Sequence, residues 1–131
     1  MLPKHHRLRR SRDFSQVYRQ GRKAASAHLL LRVYSLPPVT NAKSLVSSDP
    51  ALHLSPRIGI VVSLKVHKRA VVRNRLKRRV RAALRTLLPR LRPAQWIVIS
   101  LKPEAAECEY GEFLRELEQL FTKLEVFHGH S

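Results

Sequence analysis

Residues 57–101 read RIGIVVSLKVHKRAVVRNRLKRRVRAALRTLLPRLRPAQWIVISL, and this stretch decides the fold. Its first seven residues are rich in β-branched side chains, and its last six form a second apolar run, so both ends predict strands. Between them, from Ala70 to about Leu88, apolar residues recur with a period of 3.6, and Pro89 ends the pattern. The stretch therefore predicts a strand–helix–strand unit.

The sequence on either side of this unit predicts two more helices and one more strand. Ser11 can cap a short helix that runs to about Gln20, with Gly21 as its stop. Residues 25–36 form an extended stretch that we interpret as one strand, and residues 110–124 place apolar side chains on one face of a final helix. These elements predict an α+β sandwich in which helices cover one face of a small sheet.

The length of 131 residues predicts one domain, residues 1–131, with no second module. Residues 1–10 are basic and predict a mobile arm. Residues 37–56 are rich in Pro, Ser and Asn and show no sustained period, which predicts a long exposed loop.

The net charge of +17 is unevenly distributed along the chain. Residues 1–103 carry 24 Lys and Arg against two acids, a net charge of +22, whereas residues 104–131 carry two against seven, a net charge of −5. A charge of this size exceeds what solubility needs and predicts a polyanionic partner. We expect the binding surface to lie within the first 103 residues.

The strongest feature is a run of seven basic residues within positions 73–85. Winding the helix at 100° per residue leaves an apolar arc of about 120° for the core and places Lys77, Arg78, Arg81 and Arg85 on the outward face with Asn74. A merely solvated helix would usually interleave acids to relieve repulsion between like charges. No acid occurs between Asp49 and Glu104, so the pattern favours a surface that binds a folded RNA backbone.

Two aromatic residues of the first helix leave two interpretations open. Phe14 and Tyr18 share a face with Val17, and aromatic residues at helical spacing usually belong to a core. Because this apolar face is narrow, one of them could instead stack on an unpaired base.

The sequence shows no cluster of catalytic or metal-binding groups. A Mg²⁺-dependent nuclease needs grouped carboxylates, but the basic region has only Asp13 and Asp49, far apart in sequence. The histidines are scattered or lie near the ends, so we expect neither histidine catalysis nor a metal site. Four glycines form no phosphate-binding loop.

The expected compartment is the cytoplasm. The single cysteine, Cys108, excludes an internal disulfide and is expected to be an inert, partly buried thiol in a reducing cytosol. The sequence has no apolar run of membrane-spanning length, and its start lacks the apolar core of a signal peptide. We expect no membrane partner.

Four segments of the chain resemble the bacterial ribonuclease P protein family and occur in the same order as in that family. They are LPKHHRLRRSRDFSQVYRQGR, RIGIVVSLKV, AVVRNRLKRRVRAALR and WIVISLKPEAAECEYGEFLRELEQL. The resemblance implies a two-layer fold with a small mixed sheet, similar to the second domain of ribosomal protein S5, with an uncommon left-handed β-α-β crossover. It also implies a protein subunit without catalytic residues, in which the RNA subunit and its Mg²⁺ ions remove the 5′ leader of precursor tRNA. The implied partners are an M1-type ribonuclease P RNA, in a 1:1 complex, and precursor tRNA, with no DNA.

The resemblance implies two sets of binding residues. The residues expected to bind the catalytic RNA are Arg73, Asn74, Arg75, Lys77, Arg78, Arg81, Arg85, Lys65 and Lys68. The residues expected to bind the precursor leader, in a cleft between the first helix and the sheet, are Phe14, Tyr18, Arg32 and Lys65.

This chain departs from the family pattern at three places. The usual Ser-Lys-Lys after the second long strand is Ser63-Leu64-Lys65, and Arg32 stands where some members carry a leader-facing tyrosine. The loop at 37–56 looks longer than usual. The chief alternative is a non-catalytic RNA-binding protein of the ribosome. A double-stranded DNA-binding protein is a third reading, but the basic helix offers mostly phosphate-binding groups rather than base-reading ones.

Overall fold

The computed structural model describes residues 7–8, 11–36 and 56–127, which form three α-helices and four strands. The helices are α1 (Ser11–Gln20), α2 (Ala70–Leu87) and α3 (Tyr110–Lys123). The strands are β1 (Arg22–Ala25), β2 (Leu29–Ser35), β3 (Arg57–Val61) and β4 (Gln95–Leu101). Short 3₁₀ turns follow α2 and β4, at Leu88–Arg90 and Pro103–Glu107.

The four strands form one mixed sheet in the order β1-β2-β4-β3. β1 pairs with β2 and β2 with β4 in antiparallel fashion, whereas β3 and β4 run parallel, with Ile58 opposite Ile97. Because α2 connects these two parallel neighbours, the predicted strand–helix–strand unit and the mixed α+β fold class are confirmed. The left-handedness of the crossover stays a prediction.

The extended stretch at 25–36 contains one strand, as expected, but that strand is shorter than predicted, Leu29–Ser35, and a second strand, Arg22–Ala25, was not predicted. The chain turns at residues 26–28, where the Ser26 N–H donates to the Leu29 carbonyl at 2.8 Å. Residues 22–25 and 29–35 therefore form an antiparallel hairpin, with Ala24 opposite Leu31. Apolar content alone did not reveal this turn, because it contains neither Gly nor Pro.

One face of the sheet packs against α2 and α3 and forms the main core. The predicted apolar arc of α2 is buried, apart from the half-buried Val72. Alternate residues of the central strands, such as Leu31, Ile97 and Ile99, point into the same core. The buried side chains that the helices contribute are Leu76, Val80, Ala83, Leu84, Leu87, Phe113, Leu117, Leu120 and Phe121.

α1 packs on the opposite face of the sheet, so the expectation that all helices share one face is wrong. Val17 of α1 and Val98 of β4 are both fully buried against each other in a second, smaller cluster. Val98 points away from its neighbours Ile97 and Ile99, because successive strand residues alternate between faces. The sheet thus separates the basic helix α2 from the aromatic helix α1.

The segment before α1 contacts the free edge of β3. The Leu8 N–H donates to the Ile58 carbonyl at 2.9 Å, and Leu8 is 5% exposed. These are the described residues of the predicted basic arm at 1–10. The remainder of that arm and the predicted loop, apart from Pro56, lie outside the described residues, and the predicted single-domain organisation stays a prediction.

Candidate nucleic-acid interface

The outward side of α2 carries a continuous strip of basic and amide side chains, which we call the basic face. Asn74, Arg75, Arg78 and Arg85 are exposed, and Lys77 and Arg81 are half-buried at its margin. The strip forms because leucine, valine and alanine occupy the remaining arc of the helix, so these six side chains are turned away from the core.

Among the described residues, no carboxylate lies within 4.0 Å of a basic side chain on the basic face. The ion pairs of the described chain lie elsewhere, such as Arg90 with Glu118 at 3.2 Å. Guanidinium groups that no acid neutralises attract phosphate oxygens, and several on one rigid helix suit a fixed spacing of phosphates. The geometry therefore supports an anionic polymer as the ligand of α2.

Two arginines of α2 hold parts of the protein together. The guanidinium of Arg73 donates to the carbonyls of His67 and Lys68, at 3.0 and 2.8 Å. Arg79 donates to the Cys108 carbonyl at 2.9 Å and lies 3.7 Å from a Glu109 carboxylate oxygen. Sequence reasoning placed Arg73 among the RNA-binding residues, but in this structure its side chain also fixes the loop before α2.

The loop at 62–69 joins the two sides of the molecule. Val66 anchors it in the core at 6% exposure, while Lys65 and Lys68 are exposed. The loop leaves β3, beside α1, and ends where the basic face begins. Both lysines therefore lie next to the basic face, and Lys65 also follows the strand that underlies α1.

On the other side of the sheet, Phe14 of α1 lies directly over Gly59 of β3. A methyl group added at Gly59 would sit 2.6 Å from Cε1 of the Phe14 ring, far closer than any real contact. Glycine at this position therefore lets the ring approach the strand backbone. Phe14 is half-buried there, packed against Leu8 and Val17 in the smaller cluster.

Tyr18 is the exposed aromatic of α1. It is 45% exposed, and the Arg32 guanidinium carbon lies 4.6 Å from the centre of its ring. Arg32 comes from β2, so the pair connects the helix to the sheet through a cation–π contact. We call the surface formed by Phe14, Tyr18 and Arg32 the α1 cleft.

Sequence reasoning missed one aromatic pair on this side. Tyr34 and Trp96 face each other across β2 and β4, with ring centres 6.1 Å apart, and pack beside the smaller cluster. Both are half-buried. Strand alternation places Tyr34 on the same face as Arg32, two residues earlier, so this signal was present within the predicted strand.

The titratable groups with clearly shifted pKa values lie away from both surfaces. Burial, together with the nearby carboxylates of Glu112 and Glu116, raises the pKa of the Cys108 thiol to about 11. Burial by itself would raise the pKa of Glu116, but hydrogen bonds from His28 and Ser26 outweigh it and hold that pKa below its ordinary value. At neutral pH the thiol is therefore protonated in the absence of a bound ion.

In the described part of the chain, no helix is long and apolar enough to span a bilayer.

Comparisons with known proteins agree with this geometry. A family described as Ribonuclease P matches residues 2–125. The ribonuclease P protein component of a Cyanothece strain is 48% identical over 99% of this chain and 100% of its own length. That of Trichormus variabilis is 46% identical over 99% of each chain.

Solved structures show the same fold at lower identity. The ribonuclease P protein of Staphylococcus aureus matches with a TM-score of 0.74 and 22% identity, covering 94% of this chain and 98% of its own. The Thermotoga maritima protein matches with a TM-score of 0.67 and 21% identity, covering 86% of this chain and 92% of its own. The family match covers nearly the whole chain, and the relatives that match over their full length are close to 50% identical. The chain therefore belongs to the ribonuclease P protein family, whose members are the protein component of that endoribonuclease.

Proposed function

We propose that the chain binds the RNA of ribonuclease P through the basic face of α2, together with Lys65 and Lys68 of the preceding loop. As a ribonuclease P protein component, it is a subunit of the enzyme that produces the 5′ ends of tRNA. The observation that supports this assignment of the surface is the strip of exposed arginines on the basic face, none of which has a carboxylate partner among the described residues. Arg73, Asn74, Arg75, Lys77, Arg78, Arg81 and Arg85 form this RNA-binding set, with Arg73 also holding the loop.

The α1 cleft is proposed as the site for the single-stranded 5′ leader of precursor tRNA. Exposed Tyr18 and half-buried Phe14 offer ring faces on which unpaired bases can stack, and Arg32 and Lys65 offer charges for the leader phosphates. Mature tRNA has no leader. Contacts here therefore add binding energy to the substrate and not to the product.

In this proposal the protein performs no bond cleavage. The Mg²⁺ ions that cleave the phosphodiester are held by the RNA, because the described part of the basic face and the α1 cleft carries no grouped carboxylates, only Asp13 of α1. The protein neutralises phosphates, which lowers the concentration of counterions that the RNA needs in order to fold and dock its substrate.

Three finer statements belong to the same proposal. The RNA partner is of the M1 type, the complex contains one protein for each RNA, and the protein acts in the cytoplasm without DNA or membrane partners. The ribosomal alternative is not favoured, since the full-length relatives compared above are ribonuclease P protein components.

The test of the whole proposal is cleavage of precursor tRNA at low Mg²⁺. The three arms contain the protein alone, a bacterial ribonuclease P RNA alone, and both together. We expect efficient leader removal in the combined arm. Cleavage by the protein alone would contradict the absence of protein chemistry, and a combined arm no faster than the RNA alone would contradict the subunit role.

The leader site is tested separately with Tyr18→Ala, because Tyr18 is exposed and its loss should not disturb the fold. We expect weaker binding of precursor tRNA by the reconstituted enzyme and unchanged binding of mature tRNA. An equal loss for both RNAs would place Tyr18 outside the leader site.

A further inference from the structure

Three segments meet at the end of the molecule where the β1–β2 turn contacts α3. Glu116 of α3 accepts hydrogen bonds from the Ser26 hydroxyl and from the His28 N–H, the latter at 3.0 Å. Its second oxygen lies 2.5 Å from Nδ1 of the His28 ring. The third segment is the stretch around Cys108, whose carbonyl accepts from Arg79 of α2.

This junction brings together side chains that are far apart in sequence. A ring nitrogen of His28, Sγ of Cys108 and a carboxylate oxygen of Glu112 all lie within 4.8 Å of one another. Cys108 is 2% exposed, and His28 and Glu112 are half-buried. Among the described residues, the three form a group of potential metal ligands that neither the basic face nor the α1 cleft uses.

We propose that His28, Cys108 and Glu112 form a site for a divalent transition metal ion of the zinc class. Imidazole nitrogen with thiolate sulfur suits Zn²⁺ or Co²⁺ and does not suit Mg²⁺ or Ca²⁺, which prefer oxygen ligands. Three protein ligands leave a fourth position for water, and the thiol proton is released to solvent when the ion binds.

The surrounding contacts support a metal site. Glu116 occupies Nδ1 of His28 and so leaves Nε2 as the nitrogen for the ion, the carboxylate–histidine arrangement that commonly orients metal ligands. The Glu109 N–H donates to Oε1 of Glu112 at 3.3 Å in the capping box of α3, which leaves the other carboxylate oxygen for the ion. Arg79 holds the Cys108 backbone in place.

The fit requires a small closure. Zinc–ligand bonds of about 2.0–2.3 Å in a tetrahedron place ligand atoms roughly 3.5 Å apart. Since the ligand atoms here lie within 4.8 Å of one another, they must approach by at most about 1.3 Å, which rotations of the His28 and Glu112 side chains can supply.

The single cysteine makes the test specific. Because Cys108 is the only cysteine in the chain, a thiolate-to-Co²⁺ charge-transfer band in the near ultraviolet can arise only at this site, even if other histidines also bind the ion. The full-length protein is titrated with Co²⁺ and then with Zn²⁺ as competitor. We expect a saturable band at one Co²⁺ per chain that Zn²⁺ abolishes.

Two conservative variants test the other ligands. Glu112→Gln keeps an oxygen acceptor for the capping box, and His28→Gln keeps an N–H donor for Glu116. Each should weaken Co²⁺ binding at least tenfold, and Glu116→Gln, which loosens the orientation of His28, should weaken it about 10- to 100-fold. Glu118→Gln, on the same helix but paired with Arg90, is the matched control and should bind as the unaltered protein does.

Circular dichroism of each variant establishes whether it is folded. If His28→Gln does not fold, the Co²⁺ affinity of Glu112→Gln tests the proposal instead. The absence of a thiolate band at saturating Co²⁺ would overturn the proposal. A band that keeps its affinity in Glu112→Gln would also overturn it, because the thiol would then bind ions without the carboxylate.

Discussion

Removing two exposed charges from the basic face should change both the strength and the salt dependence of RNA binding. Arg78 and Arg85 are the best pair for this purpose, since both are exposed and neither has a carboxylate partner among the described residues. Arg73 is less suitable, because its guanidinium also holds the His67 and Lys68 carbonyls and its loss would loosen the loop.

The magnitude follows from counterion release. Each phosphate contact contributes about 0.7–0.9 to the slope of log affinity against log salt concentration, so the Arg78→Gln, Arg85→Gln double variant should lower the slope by about 1.4–1.8. Since the two lines meet near 1 M salt, the affinity at 0.1 M should fall roughly 25- to 60-fold, or about 2 kcal/mol. Thermal stability should not fall, because both side chains are exposed.

The assay is filter binding of a bacterial ribonuclease P RNA at five or more salt concentrations. The matched control is Arg115→Gln with Lys123→Gln, which removes the same charge from exposed positions of α3, on the acidic part of the chain. We expect this control to shift the slope by much less than one unit. An equal shift in both variants would mean that the net charge, and not the basic face, governs binding, and an unchanged slope in the first variant would refute the assignment of α2.

Three further predictions concern packing and the leader. Phe14→Leu keeps an apolar side chain over the sheet but removes the ring, so binding of precursor tRNA should weaken by about 1–3 kcal/mol while binding of mature tRNA is unchanged; equal loss for both would indicate a core role alone. Gly59→Val should lower the free energy of unfolding by about 1–3 kcal/mol, because the new side chain meets the Phe14 ring. Adding Phe14→Leu should relieve part of that loss. Additive effects of the two substitutions in thermal melts would show that the two side chains do not touch. Glu116→Ala leaves the Ser26 hydroxyl and the His28 N–H without their acceptor and should cost about 2–4 kcal/mol in chemical denaturation, whereas Glu118→Ala, at a half-exposed ion pair, should cost less than about 1 kcal/mol.

Periodicity was sufficient to predict the elements that bury a face. The apolar residues of α2 recur at helical spacing, and their burial matches the predicted arc except at the half-buried Val72. The helix ends predicted at Gln20 and near Leu88 lie within one residue of those observed. Gly21 and Pro89 are residues that commonly end helices, so these boundaries could be predicted from the sequence.

Periodicity could not predict which face of the sheet each helix covers. α1 has one fully buried residue, Val17, and that residue packs on Val98, which lies between two residues that face the other core. A strand buried on both faces reads as a continuous apolar run, so its two sides look the same in the sequence. The hairpin turn at 26–28 was also missed. Its turn depends on the Ser26 and Glu116 side chains rather than on Gly or Pro, so the local sequence carried no turn signal.

A candidate surface could be predicted from the sequence when its residues lie close together in the chain, and could not when they lie far apart. The basic face is contained in one helix, so its residue types and spacing were visible before the fold was known. The ligand group of His28, Cys108 and Glu112 joins a turn to a helix some 80 residues later, and only the packing of α3 against the hairpin brings these side chains together. Scattered histidines in a sequence are therefore weak grounds for expecting no metal site.

The two proposed RNA-binding surfaces lie on opposite sides of one sheet, and this arrangement has a mechanical consequence. In the proposed assignment, a leader in the α1 cleft and an RNA backbone on α2 lie on opposite faces of the sheet, and the loop at 62–69 runs from one face to the other. That loop is held by Val66 in the core and by Arg73 through two carbonyls, so its backbone is anchored to the sheet side and to α2. Under the proposed function, this anchored loop lets the position of the catalytic RNA on α2 set where the leader enters the α1 cleft. Substrate selection can then arise from geometry rather than from any chemistry of the protein.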